Sequence, residues 1–220
     1  MTALIDPKTT AVILNAQFIV QHAKEADLAE ILAIYNQSVA GKQATANLTP
    51  VTMAERVDWF NEHINDAKRP IYVVRATDTS SKDISAKDII AQDTEQAMLQ
   101  IDRSGASSLP IVAWGSFSDL YARPAYHISS EISIYLHQDY HGKGLGGMLT
   151  QWMLTQAPSL GIQNVVALIF AHNQPSLKLF TKLGFGQWGY MPQVCDMQGF
   201  IADVVMLGKA ISNEKVSDDN

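Results

Sequence analysis

A chain of 220 residues has the size of one ordinary domain, with room for a tail or an insertion, and can bury a sizeable core. Its 47% hydrophobic and 17% charged residues match a globular protein and exclude a disordered or collagen-like chain. With 16 Lys and Arg against 22 Asp and Glu, the net charge of −6 argues against nucleic acid or an anionic membrane as a partner. One cysteine, Cys195, cannot form an internal disulfide, and no Cys/His cluster has zinc spacing, so no metal is expected and a reducing cytoplasm is the expected compartment. No run approaches the roughly 18 apolar residues of a membrane span. The early apolar run at 11–14 has neither a basic flank nor a small-residue cleavage site, so no secretory leader is expected.

Residues 1–17 are weakly patterned and read as an extension before a single domain over 18–211. A strand is predicted at 17–21. Leu28, Ile31, Leu32, Tyr35 and Val39 then recur at helical spacing behind Asp27, a candidate cap. A loop follows at 41–50, and Val57, Phe60 and Ile64 mark a second helix that stops before Pro70. After a strand at 71–75, residues 78–108 are rich in Ser, Asp, Lys, Ala and Gln and read as a polar insertion, a surface spacer with at most one short helix.

Strands resume at 110–117 and 129–137, joined by a loop at 119–126. In the second, Ile132, Ile134 and Leu136 share one face and Glu131, Ser133 and Tyr135 the other. Leu145, Met148, Leu149, Trp152 and Met153 then follow helical spacing, so a helix begins inside a glycine cluster and ends near Pro158. A buried strand at 165–170 leads to Asn173 as a helix cap, Pro175 in the first turn and Gly184 as the stop. Strands at 185–190 and 200–207 complete the domain before a polar, frayed tail at 212–220. Trp59, Trp114, Trp152 and Trp188 are expected in the core or an interface.

The segment that carries chemistry is His141-Gly142-Lys143-Gly144-Leu145-Gly146-Gly147, set between a strand and an amphipathic helix. Glycine permits unusual backbone angles and close approach of a ligand, and free N–H groups at a helix start attract phosphate. A turn that merely starts a helix is the alternative, but four glycines in six residues at this junction favour an anion site. Gly142, Gly144 and Gly147 also satisfy G-x-G-x-x-G, yet no Asp or Glu occurs from 141 to 195 to hold a ribose. Lys143, Lys178 and Lys182 make that stretch locally positive, as a polyphosphate requires.

On these residues the chain resembles the GNAT N-acetyltransferases, whose Arg/Gln-x-x-Gly-x-Gly/Ala signature is met as His141-x-x-Gly144-x-Gly146. A second landmark, an Asn followed by a short helix, runs from Asn173-Gln174-Pro175-Ser176 through Phe180 to Leu183-Gly184-Phe185. Ala26-Asp27, Ile34-Tyr35-Asn36, Arg123-Pro124-Ala125-Tyr126, Glu131 and His172-Asn173 extend the resemblance to the phosphinothricin N-acetyltransferase-like branch. It implies an α/β fold of the α+β kind: a mixed, mostly antiparallel twisted sheet, splayed at an acetyl-CoA site, with helices on both faces.

The resemblance further implies acetyl transfer from acetyl-CoA to the amino group of a small molecule of the methionine sulfone, methionine sulfoximine or phosphinothricin type. Protein N-terminal or lysine acetylation, and a non-catalytic acetyl-CoA sensor, stand as alternatives. Backbone at Ile134, Tyr135 and Leu136 is implied to pair with the pantetheine arm, and amides from His141 to Gly147 to hold the pyrophosphate. Glu131 is implied as the general base, against its reading as an ordinary strand carboxylate. Asn173 and Ser176 are implied cofactor contacts, with helix capping the competing role of Asn173. Phe180 stands where many members carry an acidic Tyr; it cannot donate a proton and is expected to pack against the pantetheine arm or core. Arg123 and Tyr126 are implied acceptor contacts, against a solvated loop. A homodimer is implied by the branch alone.

Overall fold

Period-2 burial on both faces of the central strands dictates the architecture. In a computed structural model, which describes residues 11–77 and 109–211, eight strands form one sheet in the order β1-β2-β3-β4-β5-β6-β8-β7. They are β1 (Val12–Asn15), β2 (Phe18–His22), β3 (Ile71–Ala76), β4 (Ile111–Asp119), β5 (Ser129–Leu136), β6 (Asn164–Phe170), β7 (Gly186–Asp196) and β8 (Ile201–Ala210). Every pairing is antiparallel except β5 with β6. The insertion read at 78–108, the tail read at 212–220 and residues 1–10 of the extension lie outside the described residues. The rest of that extension is not a separate piece: β1 lies within it and pairs with β2.

Among the described residues, four helices cover the sheet: α1 (Leu28–Gly41), α2 (Met53–Asn65), α3 (Leu145–Gln156) and α4 (Gln174–Lys182). The alternation Ile71, Tyr72, Val73, Val74 explains the two layers. Ile71 and Val73 join Leu28, Ile31, Tyr35 and Phe60 of α1 and α2 on one face. Tyr72 and Val74 join Leu145, Leu149, Trp152 and Met153 of α3 on the other. With both faces covered, Val73, Val74 and Trp114 are fully buried, and each large apolar side chain so buried contributes roughly 1.5–3 kcal/mol. Of the four tryptophans, Trp114 and Trp152 are core, whereas Trp188 is half exposed. Thr52 starts α2 by a capping box with Glu55, and Gly115 leaves room where an added Cβ would lie 2.7 Å from Met153 Sδ.

Asp27 does something other than cap α1. Its backbone is already helical and its side chain makes no cap bond to that helix. The carboxylate instead accepts a hydrogen bond from Lys24 N–H at 2.9 Å and forms an ion pair with Arg75 of β3, the two side chains being 6% and 2% exposed. This pair pins the entry of α1 to the sheet. Because removing one partner leaves a buried uncompensated charge, Asp27→Ala is expected to lower the unfolding free energy by about 3–5 kcal/mol in urea titrations. A loss under ~1 kcal/mol would show that water or movement relieves Arg75.

Candidate active site

The site begins where two strands stop pairing. β5 and β6 are in register only at Ser129 with Asn164, Ser130 with Val165 and Glu131 with Val166. Beyond that point β5 stays on β4 as far as Leu136 opposite Ala113, and β6 stays on β8 as far as Phe170 opposite Val204. The two strands therefore part. Backbone groups of residues 132–136 that point away from β4 face a gap, where water or a ligand must satisfy them. The gap opens into a cleft of about 1060 Å³ lined by β5 from Glu131 to Leu136 and by Ala167, Leu168, Ile169 and Phe170 of β6. That volume suits an extended ligand.

One end of the cleft is the glycine loop. Gly142 and Gly144 hold φ of +73° and +79°, angles that side chains other than glycine rarely adopt. The first helical hydrogen bond runs from Met148 N–H to Gly144 O at 3.1 Å, so the amides of Leu145, Gly146 and Gly147 emerge at the start of α3 with no intrahelical partner. Helix-start amides of this kind bind anions. Gly146 also lets α3 approach α4, since a Cβ there would lie 3.3 Å from Leu179 Cδ1. The His141 ring bonds Leu136 O at 3.1 Å and so ties the loop back to β5. Lys143 does not line the cleft; its ammonium lies 4.8 Å from the Tyr140 ring centroid.

The loop after α1 crosses the open side. Tyr35 Oη bonds Thr45 Oγ1 at 2.6 Å and Asn47 Oδ1 at 2.5 Å, shaping this loop from below. From the far side, His172 Nε2 bonds Lys42 O at 2.8 Å and Asn173 Nδ2 donates to Gln43 O at 3.0 Å. Asn173 Oδ1 meanwhile accepts Ser176 N–H at 3.2 Å, so the Asn173 amide caps α4 and braces the cleft at once. Phe180 lines the cleft and packs edge-on against Phe185 at 5.0 Å between ring centroids.

Glu131 occupies the apex, the last position before the strands part. Burial holds its carboxyl above the ordinary value of 4.5. No cation pairs with it among the described residues. On the same strand face, Tyr135 stacks on Trp114 at 4.6 Å and lies 5.0 Å from the Tyr35 ring. Burial first, then Tyr35, raises the phenol's pKa and keeps it protonated.

Of the residues anticipated from sequence, Glu131, Ile134, Tyr135, Leu136, His141, Gly142, Gly144, Leu145, Gly146, Gly147, Asn173, Ser176 and Phe180 meet around this cleft. Arg123 and Tyr126 do not line it; they sit on an exposed loop where Tyr126 packs edge-on against Tyr121. Sequence reasoning missed Gln37, Ser38 and Gly41, the wall from Gln43 to Asn47, and Met191, Val194, Cys195 and Val204 on β7 and β8. The only signal for the first group was the Ile34-Tyr35-Asn36 landmark just ahead of it. Among the described residues no cluster of His, Cys, Asp and Glu is placed to hold a metal ion, and no helix is long and apolar enough to cross a membrane.

The fold and the cleft are those of an acyltransferase. Residues 61–185 match the Acetyltransferase (GNAT) family, and the chain belongs to that family. It is 37% identical over 190 residues to the protein named "Putative phosphinothricin acetyltransferase YwnH" of Bacillus subtilis (strain 168), covering 86% of this chain and 97% of that one. It is 29% identical over 188 residues to the L-methionine sulfoximine/L-methionine sulfone acetyltransferase of Pseudomonas aeruginosa, covering 86% and 91%. A phosphinothricin acetyltransferase from Sinorhizobium meliloti, crystallised with acetyl-CoA, shares the fold with a TM-score of 0.69 at 24% identity, covering 93% of this chain and 90% of that one.

Because Asn173 both caps α4 and holds the wall, Asn173→Ala is expected to cost about 1–2 kcal/mol of stability in urea unfolding. An unchanged midpoint would mean that neither bond matters to the fold.

Proposed function

We propose that this N-acetyltransferase takes acetyl from acetyl-CoA and delivers it to the amino group of a small amino acid or analogue, of the methionine sulfone, methionine sulfoximine or phosphinothricin type. The observation that carries this reading is the parting of β5 from β6 with a carboxylate at its apex and bare helix-start amides at its end. The names of the relatives above support the acceptor class, and the acetyl-CoA of the Sinorhizobium neighbour supports the donor. A cytoplasmic homodimer fits the acidic chain with one cysteine and the exposed Trp188, Tyr190 and Val194 on the edge strand β7.

The residues present suit the donor's shape. Ile134 and the N–H of Leu136, which point away from β4, offer an unpaired strand edge to an extended amide-bearing arm, in the manner of strand addition, with Tyr135 between them bonded to β4. Amides of Leu145, Gly146 and Gly147 offer donors to the pyrophosphate. When bound, acetyl-CoA would supply the thioester carbonyl that the amine attacks: a C–N bond would form as the C–S bond breaks, and coenzyme A would leave as its thiol, balanced by the second proton that the amine gives up. Backbone N–H groups in the gap would donate to that carbonyl oxygen as negative charge builds on it.

An amino acid reaches the site as an ammonium, and only its free amine can attack. Glu131 removes the proton directly or through a water. Burial improves it for this work, because a carboxylate with a raised pKa holds a proton more strongly. The active form is the deprotonated one, so activity falls as pH drops through the raised Glu131 pKa, above the range where an exposed glutamate would titrate.

Two experiments test the reading. Gly144→Val strains a φ of +79° and adds a branched side chain beside the pyrophosphate amides, so calorimetry should show acetyl-CoA affinity at least ~10-fold weaker on a folded variant. Unchanged affinity would remove the loop from the donor site. Glu131→Gln should keep acetyl-CoA affinity, lower kcat by ~10²–10⁴-fold and abolish the acidic limb of the rate profile seen in the parent enzyme with the same acceptor. An undiminished rate with an unchanged profile would move the base elsewhere.

A further inference from the structure

The Glu131 carboxylate has no hydrogen-bond or ion-pair partner among the described residues, yet a hydroxyl stands beside it. Glu131 of β5 pairs with Ser118 of β4. Residues directly opposite in an antiparallel pair share a face, with Cβ atoms about 4.5–5.5 Å apart, so the hydroxyl and the carboxyl are within direct reach or one water of each other. Ser130 Oγ donates to Ser118 O at 2.7 Å and fixes the two strands at this point.

The Ser118 hydroxyl is already engaged from the helix layer. His63, in the last turn of α2, is buried with its ring centroid 4.3 Å from that of Trp59. Its Nδ1 lies 2.8 Å from Trp59 O and its Nε2 lies 3.0 Å from Ser118 Oγ. A carbonyl only accepts, so Nδ1 carries the ring proton. Burial holds His63 below its ordinary value of 6.5, against the opposing pull of the Trp59 carbonyl, so near pH 7 the ring is neutral and Nε2 accepts. Ser118 therefore donates its single proton to His63, and its oxygen offers Glu131 nothing but a lone pair. The charged and titratable groups around this chain are Arg56, Glu62 and Asp66 on α2, Tyr35 on α1, Tyr135 on β5 and Asp119 on β4, the last paired with Arg69.

We propose that His63, acting through the Ser118 hydroxyl, is a positioning residue for Glu131: it turns that hydroxyl so that a lone pair faces the carboxyl and receives its O–H once the acceptor's proton has arrived. The inference rests on the reading of Glu131 as the base. An ionised carboxylate gains nothing from a lone pair, whereas a protonated carboxyl donates to it. The chain from Glu131 through Ser118 and His63 to Trp59 O thus favours the form that holds the proton, which makes Glu131 the stronger base.

Without the His63 nitrogens, the Ser118 proton is free to turn toward the carboxylate and stabilise its charged form. His63→Phe keeps a ring against Trp59 and removes both nitrogens. Ser118→Ala removes the hydroxyl, and Ser118→Thr keeps it on a side chain suited to a strand. Carbon-13 NMR of the Glu131 carboxyl, titrated with pH in the free full-length enzyme, reads the effect without any acceptor. The midpoint should fall to lower pH in His63→Phe and Ser118→Ala and stay at the parent's in Ser118→Thr. With L-methionine sulfone as acceptor, kcat in the first two should drop by ~2–10-fold, the worth of one hydrogen bond, and the acidic limb should move down with the NMR midpoint.

Acetyl-CoA affinity checks the folding of each variant, and if His63→Phe does not fold, the two Ser118 variants decide alone. An unmoved midpoint in the folded variants, whatever their rates, would reduce His63 to a packing contact of α2 and overturn the proposal. So would a Ser118→Thr midpoint that falls as far as that of Ser118→Ala. Midpoints that move as expected, in an enzyme whose rate and acidic limb survive Glu131→Gln, would instead sink the reading of Glu131 as the base, and the catalytic role of this chain with it.

Discussion

Everything at this site depends on the three-residue limit of the β5–β6 pairing. Parallel strands joined over a longer length would satisfy one another, and no ladder would remain for a ligand. Here β4 and β8 hold the outer flanks of β5 and β6 along their length, so the sheet stays intact while its middle opens. The open edge thus costs little in folding, because water satisfies it until a ligand arrives. The same parting places Glu131 where shelter from solvent begins, and that shelter raises its proton affinity. On the reading proposed above, one geometric feature supplies both an edge for the donor and a base for the acceptor.

The second organising element is the clasp over the cleft. The loop after α1 is bound at its start by His172 and Asn173 and further along by Tyr35. Lys42 adds bonds to Met197 O at 2.6 Å and Gln198 O at 3.0 Å, linking this loop to the turn between β7 and β8. The two halves of the parted sheet are thereby held together across the gap by short polar contacts. Such contacts fix the cleft's width without filling it. The aromatic cluster of Tyr35, Trp59, Trp114 and Tyr135 then continues the wall from β4 and β5 to α1 and α2.

Much of this was legible before the fold was known. The alternation of Glu131, Ser133 and Tyr135 against Ile132, Ile134 and Leu136 set the two faces of β5, and the glycine cluster marked the helix start, because both are local patterns with a direct steric cause. The parting itself came only from family resemblance, since no local pattern reports where two strands stop pairing. The clasp was illegible for a related reason: Lys42 and His172 are 130 residues apart, and the loop at 41–50 is polar in the way any loop is. Asp27 carried a misleading local signal, since an Asp before a helix resembles a cap while its true partner, Arg75, lies 48 residues away. β1 was overlooked because a four-residue edge strand carries too little pattern to stand out. The continuation of β7 to Asp196 was hidden by register shifts and by the positive φ of Gln193.

The central claim is that the unpaired half of β5 and the start of α3 receive the donor as one continuous surface. Amide hydrogen exchange of the full chain, followed residue by residue with and without acetyl-CoA, tests it most directly. Acetyl-CoA should slow exchange at the gap-facing amides of residues 132–136 and at Leu145, Gly146 and Gly147, whereas ADP, which carries a pyrophosphate without the pantetheine arm, should slow it only at the second set. Slowed exchange confined to other surfaces, with these amides unaffected at saturating acetyl-CoA, would contradict it.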